Sequence, residues 1–285
     1  MSFAPDDLRA VAGMLRDAAR AEILPRFRAL PAHAVRAKSA PLDLVTEADV
    51  AAEAASAAGL ARAFPGATIV GEESVSRDPR VLDAIGGAPL AFVVDPIDGT
   101  KNYASGLPLF GVMVAVLERG ETIAGVIVDP ILDEWTGAIA GGGAWVERAG
   151  GARVALHVSE PAPVDRMVGM VSWLFMSSAL KAAVTANLPR TAGACDYRTA
   201  AHEYRLVAAG HYDFLLFGKL SAWDHLAGTL IHREAGGYNA CLDGSPYRWS
   251  SGGEGLLCAP DEASWTALRH ALAGDFVARA GRRSA

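Results

Sequence analysis

Hydrophobic positions along the chain follow first a helical and then an alternating spacing, and the two together predict most of its elements. From Asp6 to about Arg28, Leu8, Val11, Leu15, Ala18, Ala19 and Ile23 return every three or four residues, which predicts a helix with one buried stripe. A second, alanine-rich helix is predicted from Asp49 to Ala63, and Thr46 and Asp49 ahead of it have the spacing of a capping box. "ATIVGEE" (67–73) predicts a short strand ending in two acids. "APLAFVV" (88–94) predicts a buried strand, bounded by Gly86-Gly87 and by Asp95-Pro96, where the chain is expected to turn. The runs "GVMVAVL", "TIAGVIVD", "EWTGAIA" and "AWVE" follow with short polar or glycine turns between them, and predict an antiparallel meander.

Beyond about Ser159 the pattern changes. "MVGMVSW", "YDFLLFG" and "GLLCA" have the apolar content of strands, and "SALKAAVTANL", "TAAHEYRLVAAG", "WDHLAGTLIHREAGG" and "DEASWTALRHALAG" that of helices. The proline-bearing "SEPAPVD" (159–165) lacks periodicity and marks a boundary. Two halves are expected, an α+β domain over 1–158 and an α/β domain over 159–285.

Composition narrows the classes. An apolar content of 51% with 20% charged residues belongs to a folded globular chain of 285 residues. A net charge of −6 argues against a nucleic-acid partner, which wants a basic face. Cys195, Cys241 and Cys258 are odd in number and lack CxxC spacing, which points to a reducing compartment. No basic, apolar leader precedes "MSFAPDDLRAV", and no run approaches the roughly 20 apolar residues of a membrane helix. The expectation is a cytoplasmic protein with no membrane partner.

The candidate chemistry lies in acids at the ends of predicted elements: Asp49 in "DLVTEAD", Glu72-Glu73 in "VGEES", Asp95 and Asp98 in "DPIDGT", and Asp224 in "AWDHLAG". Each alone fits an ordinary polar turn. Together, with only oxygen donors, they suit a hard cation such as Mg2+. Shared between paired ions, they suit phosphoryl transfer. "HEYRL" (202–206) is not HExxH, since Leu206 stands fifth, and "GGGA" (141–144) lacks the ending of a phosphate loop. His225, next to Asp224 on a helix, is expected to point elsewhere.

The combination of "DLVTEAD", "GEES", "DPIDGTKNY" and "WDHLAG…EAGG", in that order, resembles the inositol monophosphatase family. These are Mg2+-dependent, lithium-sensitive phosphatases related to the fructose-1,6-bisphosphatases. The resemblance implies a layered αβαβα sandwich, a homodimer, and two or three Mg2+ ions per active site. It implies that Glu72, Asp95 and the carbonyl of Ile97 hold one ion, and that Asp95, Asp98 and Asp224 hold another. Glu72 would also face a weaker third ion through water. Asp49 and Thr100 would orient and deprotonate the attacking water, and the N–H groups of Gly99 and Thr100 would bind phosphate. A phosphate monoester of inositol or a similar sugar or polyol would be hydrolysed in line, without a phosphoenzyme. Alternatives are fructose 1,6-bisphosphate, histidinol phosphate or a nucleotide bisphosphate with the same chemistry, or a non-catalytic regulator.

The chain departs from the family in two places. Seven residues before Asp224, where the family carries an acid that reads substrate hydroxyls, stands Phe217. "DYRTAA" places Arg198 where glycine is usual, and Lys219 follows Phe217 by two residues. If Arg198 and Lys219 face the pocket, the exchange favours a substrate with a second anionic group or a flatter leaving group.

Overall fold

A computed structural model describes residues 3–38 and 43–281, so the outermost positions of both expected halves lie outside the described residues. Helix α1 (Pro5–Ala18) buries its Leu8, Val11 and Leu15 stripe completely. The helical path expected to reach Arg28 loosens into a π-turn over Ala19–Ile23 and a 3-10 turn over Leu24–Arg26. Pro25 accounts for this, since it has no N–H to donate and its ring crowds the preceding turn. An antiparallel pair, β1 (Val35–Ala37) and β2 (Leu44–Thr46), then leads into α2 (Glu47–Ala63).

Next comes a seven-stranded sheet in chain order: β3 (Thr68–Gly71), β4 (Leu90–Asp98), β5 (Gly111–Glu118), β6 (Glu121–Asp129), β7 (Glu134–Ile139), β8 (Ala144–Glu147) and β9 (Arg153–Ala155). Only the β3–β4 pair is parallel. Two short helices follow strand ends in this half, α3 (Glu72–Arg77) after β3 and α4 (Thr100–Ala104) after β4. The acids of "GEE" thus open a helix and do not end a strand. β4 also continues past Asp95 to Asp98, with a register shift between these two residues. Pro96 is accommodated because a bulge leaves it without a ladder bond to donate.

The second sheet is mixed, with β10 (Val168–Ser172), β11 (Gly193–Cys195), β12 (Phe214–Phe217), β13 (Tyr238–Cys241) and β14 (Leu256–Ala259) in the order β11-β10-β12-β14-β13. Its helices are α5 (Ser178–Asn187), α6 (Ala200–Ala208), α7 (Ala222–Glu234) and α8 (Glu262–Gly281). No helix among the described residues is long and apolar enough to cross a membrane.

Alternation along the strands explains the layering. On one face of the first sheet, Phe92, Val94, Val112, Val114 and Val126 pack against α1 and α2. The neighbours on the other face, including Val93, Met113, Ala115 and Ile127, share a core with α6, α7 and the inner face of the second sheet. The outer face of that sheet, through Val171, Phe214, Leu216 and Leu257, packs against α5 and α8. Strands buried on both sides need near-continuous apolar runs, which is what "AFVV" and "FLLF" provide. The result is the expected αβαβα sandwich, with α6 and α7 as the central layer.

Glycines set how closely that layer approaches. A Cβ on Gly228 of α7 would fall 2.0 Å from the buried Tyr204 ring of α6. Gly228→Ala should therefore overpack the core by about 1–3 kcal/mol, against roughly 1 kcal/mol gained in helix propensity. A lower urea midpoint at unchanged m-value is the expected result, and an unchanged or higher midpoint would show slack between α6 and α7.

Candidate active site

Parallel pairing of β3 with β4 sets Gly71 opposite Val94, so Glu72 at the start of α3 comes out beside Asp95. Gly71 is required there, since a Cβ would lie 2.2 Å from the Glu53 carboxylate. Glu53 of α2 caps α3 by accepting the N–H groups of Glu73 (2.7 Å) and Ser74 (3.0 Å). In the bulge, Asp95 Oδ1 accepts the Ile97 N–H at 3.1 Å. Gly99 then takes φ +89, a conformation that suits glycine, and α4 begins at Thr100. The motif's last residues are staples. Asn102 Nδ2 donates to the carbonyls of Leu109 (3.0 Å) and Tyr197 (2.8 Å), and the Tyr103 hydroxyl donates to that of Ile23 (2.8 Å).

Asp49 is fully buried at the third position of α2, where the capping box is formed as the spacing predicted. Its Oδ2 accepts from the Thr46 N–H (2.8 Å) and hydroxyl (2.5 Å), while Oδ1 lies 3.1 Å from Thr100 Oγ1. The same hydroxyl is 3.0 Å from the Ile97 carbonyl, so one proton has two acceptors to choose from. Asp98 reaches across to the other half and caps α6, accepting from the Thr199 hydroxyl (2.5 Å) and the Ala201 N–H (2.6 Å). Asp224, at the third position of α7, completes the group: Asp95, Asp98 and Asp224 each offer a carboxylate oxygen within 4.8 Å of the others.

Burial and repulsion from neighbouring acids raise Asp49, Glu72, Asp95 and Asp98. Burial, with repulsion from Glu72, Asp98 and Asp224, holds Asp95 well above the carboxylate range. Burial and the Asp224 charge lift Asp98 to about 7, against the opposing bonds from Thr199 and Ala201. Glu72 rises to about 8 through burial, opposed by Lys38 and reinforced by Asp224. Burial takes Asp49 to about 6, with Thr46 pulling the other way.

The cavity, of about 130 Å3, brings together Glu72, Asp95, Ile97, Asp98, Asp224 and the Gly99–Thr100 backbone. Arg198, Phe217 and Lys219 line its outer wall. Arg198 has φ +59, a left-handed backbone that explains why glycine suits the position. Phe217 is buried as the last residue of β12 and packs on His225 at 4.6 Å. Asp49 stands behind Thr100 and not on the wall. His225 is a structural bridge. Its Nε2–H donates to the Lys219 carbonyl (2.8 Å), leaving Nδ1 to accept the Tyr204 hydroxyl (3.2 Å), and burial keeps it neutral.

Sequence reasoning missed two groups. Lys38 Nζ lies 2.8 Å from Glu72 Oε1 and 2.5 Å from Glu73 Oε1. Burial lowers its pKa, but the two glutamates more than reverse this and the net shift is upward. One signal was available: the chain has only four lysines, Lys38, Lys101, Lys181 and Lys219, and three of them stand in or beside this cavity. The second is Glu203 of α6, buried at the cavity wall, whose carboxyl accepts the Tyr197 N–H (2.9 Å) and is held well above its ordinary range by burial.

The chain is a five-layer αβαβα sandwich with an oxygen-donor acidic cavity between its halves, and comparison with known proteins assigns its family. The model of the inositol monophosphatase family matches residues 5–276. The inositol-1-monophosphatase of Bacillus subtilis (strain 168) is 31% identical over 214 residues, 75% of this chain and 78% of that protein. The histidinol-phosphatase of Streptomyces coelicolor is 34% identical over 257 residues, 85% of this chain and 88% of that protein. The crystal structure of the extragenic suppressor protein suhB from Bartonella henselae superposes with a TM-score of 0.76 at 27% identity, covering 93% of this chain and 98% of that one. The chain belongs to the inositol monophosphatase family, a family of phosphatases.

The raised carboxylates set a pH dependence. Unfolded, they titrate near 4; folded, Asp49, Asp98 and Glu72 titrate at about 6, 7 and 8. Between those limits the folded state binds more protons, so the stability these groups contribute is complete below pH ~4 and lost as pH rises through 6 to 8. In chelator the protein should melt at a lower temperature at pH 8 than at pH 5. A melting temperature that rises over this range would contradict the packing of these acids.

Proposed function

We propose that this chain is a Mg2+-dependent phosphate monoester hydrolase acting on inositol monophosphate or a similar sugar or polyol phosphate. The observation that carries the reading is one cavity holding the Asp95, Asp98 and Asp224 cluster next to the Thr100–Asp49 pair. The donor set fits the ion: it is all oxygen, Asp95 and Asp98 are buried, and burial together with repulsion from neighbouring acids raises both above their ordinary pKa. Glu72, Asp95 and the Ile97 carbonyl would hold one ion, Asp95, Asp98 and Asp224 a second, and Glu72 would face a third. Bound there, Mg2+ supplies Lewis acidity that acidifies water and neutralises charge on the leaving oxygen.

The chain's own groups divide the remaining work. Once the Ile97 carbonyl is engaged by a cation, the Thr100 hydroxyl has Asp49 as its remaining acceptor. Thr100 then passes a proton from water to Asp49, whose second oxygen stays fixed by Thr46. The N–H groups of Gly99 and Thr100 hold phosphate oxygens, helped by the glycine's lack of a side chain. The complete set of acids and the hydroxyl supports an enzyme over a non-catalytic regulator.

We also infer a cytoplasmic homodimer. Leu109, Ile131, Leu132 and Val154 are exposed around one cleft with a largely apolar rim, a surface that a second copy would cover. A monomer by sedimentation at micromolar concentration would overturn the dimer.

Asp98→Asn and Asp224→Asn should each lower phosphate release by about 100-fold or more while the fold survives. Near-normal turnover at saturating Mg2+ would refute the assignment. Li+ should inhibit, and Ca2+ alone should not support turnover, because this chemistry needs tighter octahedral coordination. Thr100→Ala should reduce kcat by about 100-fold or more, with Mg2+ affinity by calorimetry little changed. A large loss of affinity instead would make Thr100 a ligand.

A further inference from the structure

The outer wall of the cavity is built differently from its floor. Lys101, Arg198 and Lys219 line it, and among the described residues none of the three has a carboxylate partner. Arg16, Arg20, Arg26, Arg80, Arg153 and Arg205, by contrast, are each paired with an acid. The Arg198 backbone N–H is taken by Asp196 Oδ1 at 2.8 Å, but the guanidinium is not. Holding a non-glycine residue at φ +59 costs backbone strain, and here it sets an arginine in the cavity wall without a partner inside the fold. Lys219 Nζ lies 5.5 Å from the ring centroid of Phe175, which is 42% exposed at the cavity mouth. The aromatic face holds the ammonium without neutralising it.

Of the nearby acids, Glu203 is held well above its ordinary range by burial. Burial also raises Asp196, against the pull of the Arg198 charge, and neither acid forms an ion pair with the three cations. The floor carboxylates are the set assigned above to cations. An unpaired guanidinium and an ammonium beside a phosphate-hydrolysing centre match a second phosphate, since arginine offers paired parallel donors to its oxygens and lysine a point charge. Phe217, packed on His225 and Tyr204, adds an apolar ring to the lining, which offers nothing to a hydroxyl.

We propose that Arg198 and Lys219 form a second anion subsite, so that the preferred substrate is a phosphate monoester whose leaving group carries another phosphate. This rests on the hydrolase reading above and deepens it: both residues determine specificity, and neither touches the reacting phosphorus. The subsite strengthens binding of the second phosphate, and its effect falls chiefly on KM and weakens with added salt.

The test uses matched pairs that differ by one phosphate, fructose 1,6-bisphosphate against fructose 1-phosphate and adenosine 3′,5′-bisphosphate against adenosine 3′-phosphate. The two pairs also distinguish a sugar from a nucleoside leaving group. For wild type, kcat/KM should favour the bisphosphate by about tenfold or more in at least one pair. In Arg198→Gly, which suits the left-handed backbone, that ratio should drop by about tenfold through KM. Lys219→Met should lower it as well, and Arg198→Lys should keep part of it. A wild-type ratio near one in both pairs, or a ratio that Arg198→Gly leaves unchanged, would overturn the subsite while leaving the hydrolase intact. With inositol 1-phosphate run alongside, release from it but from none of the four esters would overturn the subsite alone, and release from none of the five would overturn the hydrolase reading and the subsite with it.

Discussion

Mutual repulsion among buried carboxylates is the constraint to which the rest of this structure answers. Glu72, Asp95, Asp98 and Asp224 converge from β4 and the first turns of α3 and α7, and each raises the cost of ionising its neighbours. The fold offsets this unevenly. Asp98 receives a hydroxyl and a backbone N–H at the start of α6, and Glu72 receives the Lys38 ammonium. Asp95 has a single backbone N–H, from Ile97, and is pushed well above the carboxylate range. Asp95 is also the acid on which the charges of the other three converge, so a cation there would relieve its repulsion from each of them.

Convergence of this kind needs both halves of the chain to be held in register. Asp98 does part of that work, because its carboxylate ends β4 and caps a helix of the second half. Asn102 does the same through backbone carbonyls on either side, and α7 closes onto the first sheet over Gly125, where a Cβ would meet Ala227 at 2.9 Å. Packing and electrostatics are thus not separable here: the contacts that let α7 approach the first sheet are those that bring Asp224 to Asp95.

Local chemistry was legible in the chain, and long-range chemistry was not. The Thr46–Asp49 box could be seen because both ends of its bonds lie within four residues, and the meander because alternation reports a sheet directly. The bulge at Pro96 was hidden: a proline after an acid reads as a turn, and only the partner strand β5 shows that Asp98 still has a ladder neighbour. Lys38 was hidden for a different reason. It meets Glu72 across 34 residues of chain, and nothing in its neighbourhood marks it as a partner for two acids. Arg198 lies between these cases, since the sequence shows its identity but only the backbone shows φ +59.

Lysine and arginine are used differently in this chain, and the difference follows from hydration. Arginine, weakly hydrated and forked, dominates the ion pairs that brace the fold, as where Arg205 bridges Asp129 and Glu134. Lysine is a compact and strongly hydrated charge on a flexible stem. Lys38 sits on the acids of the floor, while Lys101 and Lys219 stand at the wall with no acid of their own. The net charge of −6 therefore hides a local gradient, anionic at the floor and cationic at the wall. Two or three divalent cations entering the floor would offset its acids, which Lys38 balances only in part, and would leave the cationic wall to attract phosphate.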